Sequence, residues 1–407
     1  MNNRLYFKDN KRLYEDKKRL FSKIEKERTH IGYYNLPKQN INYILDFADS
    51  FDKSIDTIVV LGIGGSSLGA KAIYEFLKPM EELKRKLIFF ETTDPINISN
   101  TLKEIDISKT HFLVISKSGG TVETISIFKY LYALNQNSNL YTFITDRGSN
   151  LEKFAKEIES KVFYLPDNIG GRFSVLSVVG LIPLALCDID IKLLLKGADE
   201  ISNSFFNDGK FKDILLNKAI FYAKNQNRYN INCLFAYSQT LQYFTEWYVQ
   251  LWGESLGKKQ RHSSFNVGLT PIGLIGPKDQ HSFLQLIMEG TRDKSITFIK
   301  LEKFEHQLNI PNLSLKHLES LDILNGVSFH QLLTMQSDSI IEALTNEQDI
   351  PLDEILLPCV DAKSIGALIY YYELLTSLVG ELLDIDTYNQ PGVEAGKIIL
   401  KKKLENL

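Results

Sequence analysis

Short apolar runs alternate with longer stretches of helical period through residues 55–165. The runs read TIVVLG (57–62), KLIFFET (86–92), HFLVIS (111–116), LYTFIT (140–145) and KVFYLP (161–166). Apolar residues on both faces, many of them β-branched or aromatic, suit strands covered on either side by helices, so the pattern predicts a parallel, doubly wound α/β sheet. Such sheets bind ligands at the carboxyl ends of their strands. The loops after these runs are where chemistry is expected.

Outside that region the pattern is mostly helical. Residues 1–50 carry helical periodicity with mixed charge, for example at Leu13, Leu20 and Ile24, then Ile41, Tyr43 and Ile44. A second unit begins near residue 200 with helical patterns to about 229, followed by a buried strand INCLFAYS (231–238). Next come a long aromatic helix, SQTLQYFTEWYVQLWGESLGKK, ending around Gly257, another strand, SITFIKLEKF, and the helix SIGALIYYYELLTSLVGELL. Both halves read as α/β, with no low-complexity linker between them.

The first loop lies in TIVVLGIGGSSLGAK (57–71), where a buried strand stops on glycine and passes through small residues into a helix. Gly62, Gly64 and Gly65 permit close backbone approach, and Ser66 and Ser67 add hydroxyls near unpaired N–H groups that favour an anion. A Walker loop is excluded because Ala70 follows Gly69 and Lys71 sits one place late. A dinucleotide fingerprint needs a third glycine where Ser67 stands, although Glu91 ends the next strand at a distance suited to a ribose contact. A sugar-phosphate pocket built from amides and hydroxyls is the third reading, and a tight turn without a ligand the fourth.

A second loop of the same kind favours the sugar phosphate. SKSGGTVET (116–124) follows a neighbouring strand and places Ser116, Ser118 and Thr121 before a helix, so two hydroxyl-bearing turns can close on one anion. Capping and turn chemistry would explain either loop alone.

Further candidates lie downstream. Arg172 follows a glycine pair in GGRFSVLSVVGLIPLALC (170–187) and is the lone cation before an apolar helix. It suits either a salt bridge at the core edge or stabilisation of developing negative charge. Gln250 and Glu254 lie four apart on one face of the aromatic helix with Trp247, which makes Glu254 a candidate for a partly desolvated carboxylate acting as a base. His281, in GPKDQHSFLQLIMEG, stands where a loop gives way to a helix and suits either a proton carrier or a cap. The turn YNQPGVEAGK (388–397) carries Gln390, Glu394 and Lys397.

Composition narrows the partners. The chain has 407 residues, 44% apolar and 24% charged, with a formal charge of −3 and no basic patch, which argues against nucleic acid. The longest uncharged run, residues 173–187, is too short for a membrane span and contains Pro183. The charged N-terminus lacks a signal-peptide core, and Cys187, Cys233 and Cys359 follow no disulfide or zinc spacing, so a reducing cytoplasm is expected. The other histidines show no metal-ligand spacing, and no redox cofactor is signalled.

The motifs GIGGSSLGA, SKSGGTVET, GGRFSVLSVVGL, WGESLGK, QHSF and NQPGVEAGK, in this order, resemble the phosphoglucose isomerase family. The resemblance implies two sugar isomerase domains at 51–195 and 196–380, preceded by a helical segment at 1–50 and followed by an active-site turn and helix at 381–407. It implies reversible conversion of D-glucose 6-phosphate to D-fructose 6-phosphate through a cis-enediol, with no cofactor or metal. Gly65, Ser66, Ser116, Lys117, Ser118 and Thr121 would hold the phosphate, and Gln250 and Gln390 would line the pocket. Glu254 would move the proton, Arg172 would steady the enediolate, and His281 would open the sugar ring with Lys397 beside it. In the family the histidine comes from a neighbouring subunit, so a homodimer is implied. Gly119 and Gly120 replace a more usual threonine-containing pair, and Ser67 stands where many relatives have aspartate. Three alternatives are a bifunctional isomerase that also takes mannose 6-phosphate, a non-catalytic sugar-phosphate sensor, and a nicotinamide-dependent enzyme.

Overall fold

A computed structural model describes residues 1–7, 14–347 and 349–406. The first of two five-stranded sheets contains β2 (Thr57–Leu61), β3 (Lys86–Phe90), β4 (Thr110–Ile115), β5 (Tyr141–Thr145) and β6 (Lys161–Tyr164), after β1 (Asn2–Leu5). Its order is β3-β2-β4-β5-β6, and every pair is parallel. The five apolar runs all form strands, and every residue of β2 is buried, as expected of a strand covered on both faces. The order reverses between β2 and β4, which are direct neighbours with Leu61 opposite Val114. The two glycine and hydroxyl loops leave these two strands, at the switch point where doubly wound sheets bind ligands.

The second sheet is built from β7 (Ile231–Ala236), β10 (Thr270–Ile275), β11 (Lys294–Leu301) and β12 (Leu352–Leu357), while β8 (Lys258–Lys259) and β9 (Asn266–Val267) form a separate two-stranded ladder. Its order is β1-β12-β11-β7-β10, parallel except for β1, which runs antiparallel on β12. The chain is therefore α/β with two doubly wound sheets. The long helix Ala362–Leu382 is buried along most of its length. It packs on Ile191–Phe206 through a glycine contact from each side: a Cβ at Gly197 would fall 1.9 Å from Lys363 O, and one at Gly366 would fall 2.0 Å from Leu194 O. Any larger residue at either point would force the helices apart.

Three features depart from the sequence reading. The N-terminal stretch is not helical throughout, because Asn2–Leu5 pairs with β12 and the Asn3 amide donates to Asp353 Oδ2 at 2.7 Å. Helices do follow at Tyr14–Glu27 and Asn42–Asp49, while Leu13 lies outside the described residues. β10 carries Pro271, a residue that argues against a central strand but is accommodated here because β10 is the sheet edge. β12 is disguised by its charges: Asp353 is 1% exposed and pairs with the fully buried Lys218 at 2.7 Å.

Among the described residues no helix is long and apolar enough to cross a membrane.

Candidate active site

The two loops at the switch point differ in how they are held. After β2, Gly64 has a φ of +59°, and a Cβ there would fall 2.7 Å from Gln250 Nε2. A Cβ at Gly65 would lie 2.4 Å from the carbonyl of Gly171. Only glycine therefore lets this turn touch both the aromatic helix Gln242–Leu256 and the loop that carries Arg172. Ser66 is half-buried and Ser67 buried, the latter just before the helix Leu68–Leu77.

After β4, Ser116 Oγ and Thr121 Oγ1 lie 2.9 Å apart across the turn, and Thr121 stands at the N-cap position of the helix Val122–Leu134 without a side-chain capping bond. Ser118 is exposed at the tip, with its Oγ 3.4 Å from the Gly120 amide. Lys117 faces the other way: its ammonium donates to the carbonyls of Asp167 at 3.0 Å and Ile169 at 2.7 Å, tying this loop to the segment that leads into Arg172.

Arg172 is the hub of the site. It is 3% exposed and sits on the short turn Gly171–Phe173 that follows β6. Its Nε donates to Ser255 Oγ at 2.7 Å and its Nη1 to Gln390 Oε1 at 3.0 Å. Its Nη2 donates to the carbonyls of Thr387 at 2.5 Å and Asn389 at 3.0 Å. Glu254 Oε1 stands 3.7 Å from Nη1. Burial lowers the guanidinium pKa, and the Glu254 carboxylate opposes that shift. A guanidinium nevertheless remains charged across the working pH range.

Glu254 projects from the last turns of the aromatic helix, whose apolar side is fixed by buried Trp247, Leu251 and Trp252. Its side chain is 27% exposed, and its Oε2 accepts from Gln250 Nε2 at 3.1 Å. Gln250 Oε1 is buried and has no hydrogen-bond partner among the described residues. Glu254, Asp386, Asn389 and Gln390 line a cleft of about 890 Å³. A half-exposed carboxylate beside a fixed cation, at the edge of an open cleft, can exchange protons with a bound molecule while the cation faces any negative charge that forms.

Comparison with known proteins decides the family. Residues 35–407 match the model of the family described as phosphoglucose isomerase. The chain belongs to the phosphoglucose isomerase family. It is 43% identical over 385 residues to a glucose-6-phosphate isomerase of Campylobacter jejuni, covering 92% of each chain. It is 34% identical to one of Methanocaldococcus jannaschii, covering 90% of this chain and 92% of that one. Among solved structures, a hypothetical protein of Thermus thermophilus superposes with a TM-score of 0.86 at 30% identity, covering 96% of this chain and 94% of that one. A glucose-6-phosphate isomerase of Chlamydia trachomatis gives 0.82 at 22% identity, covering 97% and 84%, a likeness of fold.

Against the residues that the phosphoglucose isomerase resemblance assigns, the single chain brings together Arg172, Gln250, Glu254 and Gln390, with the Gly65 turn packed on the Arg172 loop. Among the described residues, His281 and Lys397 make no hydrogen bond or ion pair with that cluster. The imidazole is exposed on the turn Lys278–His281 beyond β10, and Lys397 lies on the exposed helix Glu394–Leu404 with its ammonium 2.8 Å from Glu394. Sequence reading missed Ser255 and the carbonyls of Thr387 and Asn389, which hold the hub, and Lys258, whose ammonium donates to the carbonyls of Glu254 and Ser255. Ser255 and Lys258 follow Glu254 by one and four positions within WGESLGK, but neither spacing nor periodicity reveals which carbonyls a side chain will reach.

Proposed function

We propose that this isomerase interconverts D-glucose 6-phosphate and D-fructose 6-phosphate by moving a proton between C2 and C1. The observation that carries the reading is the Glu254 carboxylate held 3.7 Å from the buried Arg172 guanidinium, beside two hydroxyl-bearing loops at one switch point. Ser66, Ser116, Ser118 and Thr121, with the loop amides, take the phosphate. Lys117 braces that loop and adds positive charge.

With the sugar open, Glu254 removes the C2 proton while the C1 oxygen gains one, giving a cis-enediol. Return of the carboxyl proton to C1 with loss of the O2 proton gives the ketose, so atoms and charge balance without an outside reductant. Arg172 stabilises negative charge on the enediolate oxygens. Gln250, whose Oε1 is an unsatisfied acceptor, and Gln390 bind sugar hydroxyls.

His281 opens the ring from the neighbouring subunit of a homodimer, with Lys397 nearby. The support is apolar surface that a monomer leaves in water. Ile398 and Ile399 on the C-terminal helix are 56% and 55% exposed, and Leu308, Ile323 and Phe329 are 64%, 81% and 55% exposed. We place the enzyme in the cytoplasm, in keeping with its three free cysteines. The test is turnover of purified protein on fructose 6-phosphate, with glucose 6-phosphate read by a coupled dehydrogenase. No product from a folded dimer removes the proposal.

A further inference from the structure

The aromatic helix ends at Leu256 with Gly257 as its cap, whose N–H bonds to Gly253 O. Carbonyls in a last helical turn have no amide of their own helix to accept from. Two of them here belong to site residues, Glu254 and Ser255. Lys258, the next residue after the cap and the first of β8, folds back so that its Nζ donates to Glu254 O at 2.7 Å and to Ser255 O at 2.9 Å. A cation at this end also suits the helix dipole. One ammonium thus grips the backbone that aims the Glu254 carboxylate and the backbone that carries the Ser255 hydroxyl bonded to Arg172.

We infer that Lys258 is a positioning residue for the isomerisation, fixing Glu254 and Arg172 relative to each other without itself touching the sugar. The inference rests on the reaction proposed above and adds a residue to it. Its surroundings make the grip sensitive to pH. The charges facing Lys258 are Arg172 from the turn Gly171–Phe173, Asp386 from the stretch before Gln390, and Glu254 from its own helix; Lys259 and Arg261 also line the cleft. Burial, then the Arg172 guanidinium, push the ammonium down to about 8, while Asp386 and Glu254 act in the opposite sense. Loss of the charge turns two charge-assisted bonds into weaker neutral ones.

The test uses the full-length protein and compares Lys258→Met and Lys258→Arg with the native enzyme. A small misplacement of a catalytic group costs up to about 100-fold in rate. Lys258→Met is therefore expected to lose about 30-fold or more in kcat, with calorimetric affinity for fructose 6-phosphate within about threefold. Lys258→Arg is expected to recover much of the rate, and the fall in kcat above about pH 8 expected of the native enzyme should move up in this variant, because a guanidinium does not titrate there. A kcat for Lys258→Met within twofold of native, equal losses in kcat and sugar affinity, or an unmoved alkaline inflection in Lys258→Arg would overturn the inference. Should Lys258→Met fail to fold, the Lys258→Arg profile decides. A native enzyme with no turnover on either sugar phosphate is a different result, which removes the proposed reaction.

Discussion

Arg172 and Gln390, 218 positions apart in the chain, meet through an Nη1 to Oε1 hydrogen bond of 3.0 Å. The same guanidinium reaches two further carbonyls in that C-terminal turn and the hydroxyl of Ser255. The turn that carries Gln390 is thus fastened to the first sheet's last loop and to the aromatic helix by one side chain.

Arg172→Lys keeps the charge and loses the fork. A lysine cannot serve four acceptors spread around a planar group, and each buried acceptor left unpaired costs about 1–3 kcal/mol. We expect a lower thermal midpoint together with a fall of about 100-fold or more in kcat/KM, the scale of losing an oriented charge stabiliser. Native-like rates in a steady-state assay would show that charge alone suffices.

Glu254→Gln removes the proposed proton acceptor and keeps the shape. The expected loss in kcat is on the order of 1,000-fold, within the usual range for a general base. Sugar-phosphate binding should change little, because the loops proposed to hold the phosphate leave the other sheet. Deuterium incorporation at C2 in heavy water, followed by NMR, is the decisive reading: persistence of exchange rules this carboxylate out as the base.

The proposed sharing of sites between subunits is open to complementation. Glu254→Gln and His281→Ala enzymes, each inactive alone, should regain activity after subunit exchange, because one site of each mixed dimer has both native residues. Random mixing in equal amounts gives about a quarter of native activity for a two-fold symmetric dimer. Verified mixed dimers without recovery would place the two residues in separate functions.

Acid stability should report a residue remote from catalysis. His111 on β4 is buried, with Nε2 2.9 Å from Thr142 Oγ1, and burial lowers its pKa to about 4. The folded protein therefore releases this proton more readily than the unfolded chain, whose histidine titrates near 6.5. Between these values the unfolded state binds more protons, so stability falls as pH drops through the window, by on the order of 3 kcal/mol in total. Denaturant unfolding at a series of pH values should reveal this slope, and His111→Gln should flatten it. An equal slope in the variant would assign the effect to other groups.

Much of this architecture can be read from local pattern. The five apolar runs of the first sheet, the glycine and hydroxyl loops after β2 and β4, and the aromatic helix ending at Gly257 follow from residue type and spacing. Backbone preference and two-sided burial act over a few residues, and a linear pattern records them. The resemblance of six ordered motifs carried the family.

Tertiary structure alone decided what lies beside what. β1 reads as part of a helical region and is drawn into the second sheet by β12, and Asp353 looks like a surface acid until Lys218 and Asn3 are packed against it. Lys117 turns from its own loop to carbonyls some 50 residues on, and Arg172 finds its acceptors in two distant segments, the aromatic helix and the C-terminal turn. These bonds depend on distances between sheets and helices that packing sets, and a polar residue's type does not reveal which buried acceptor will need its proton.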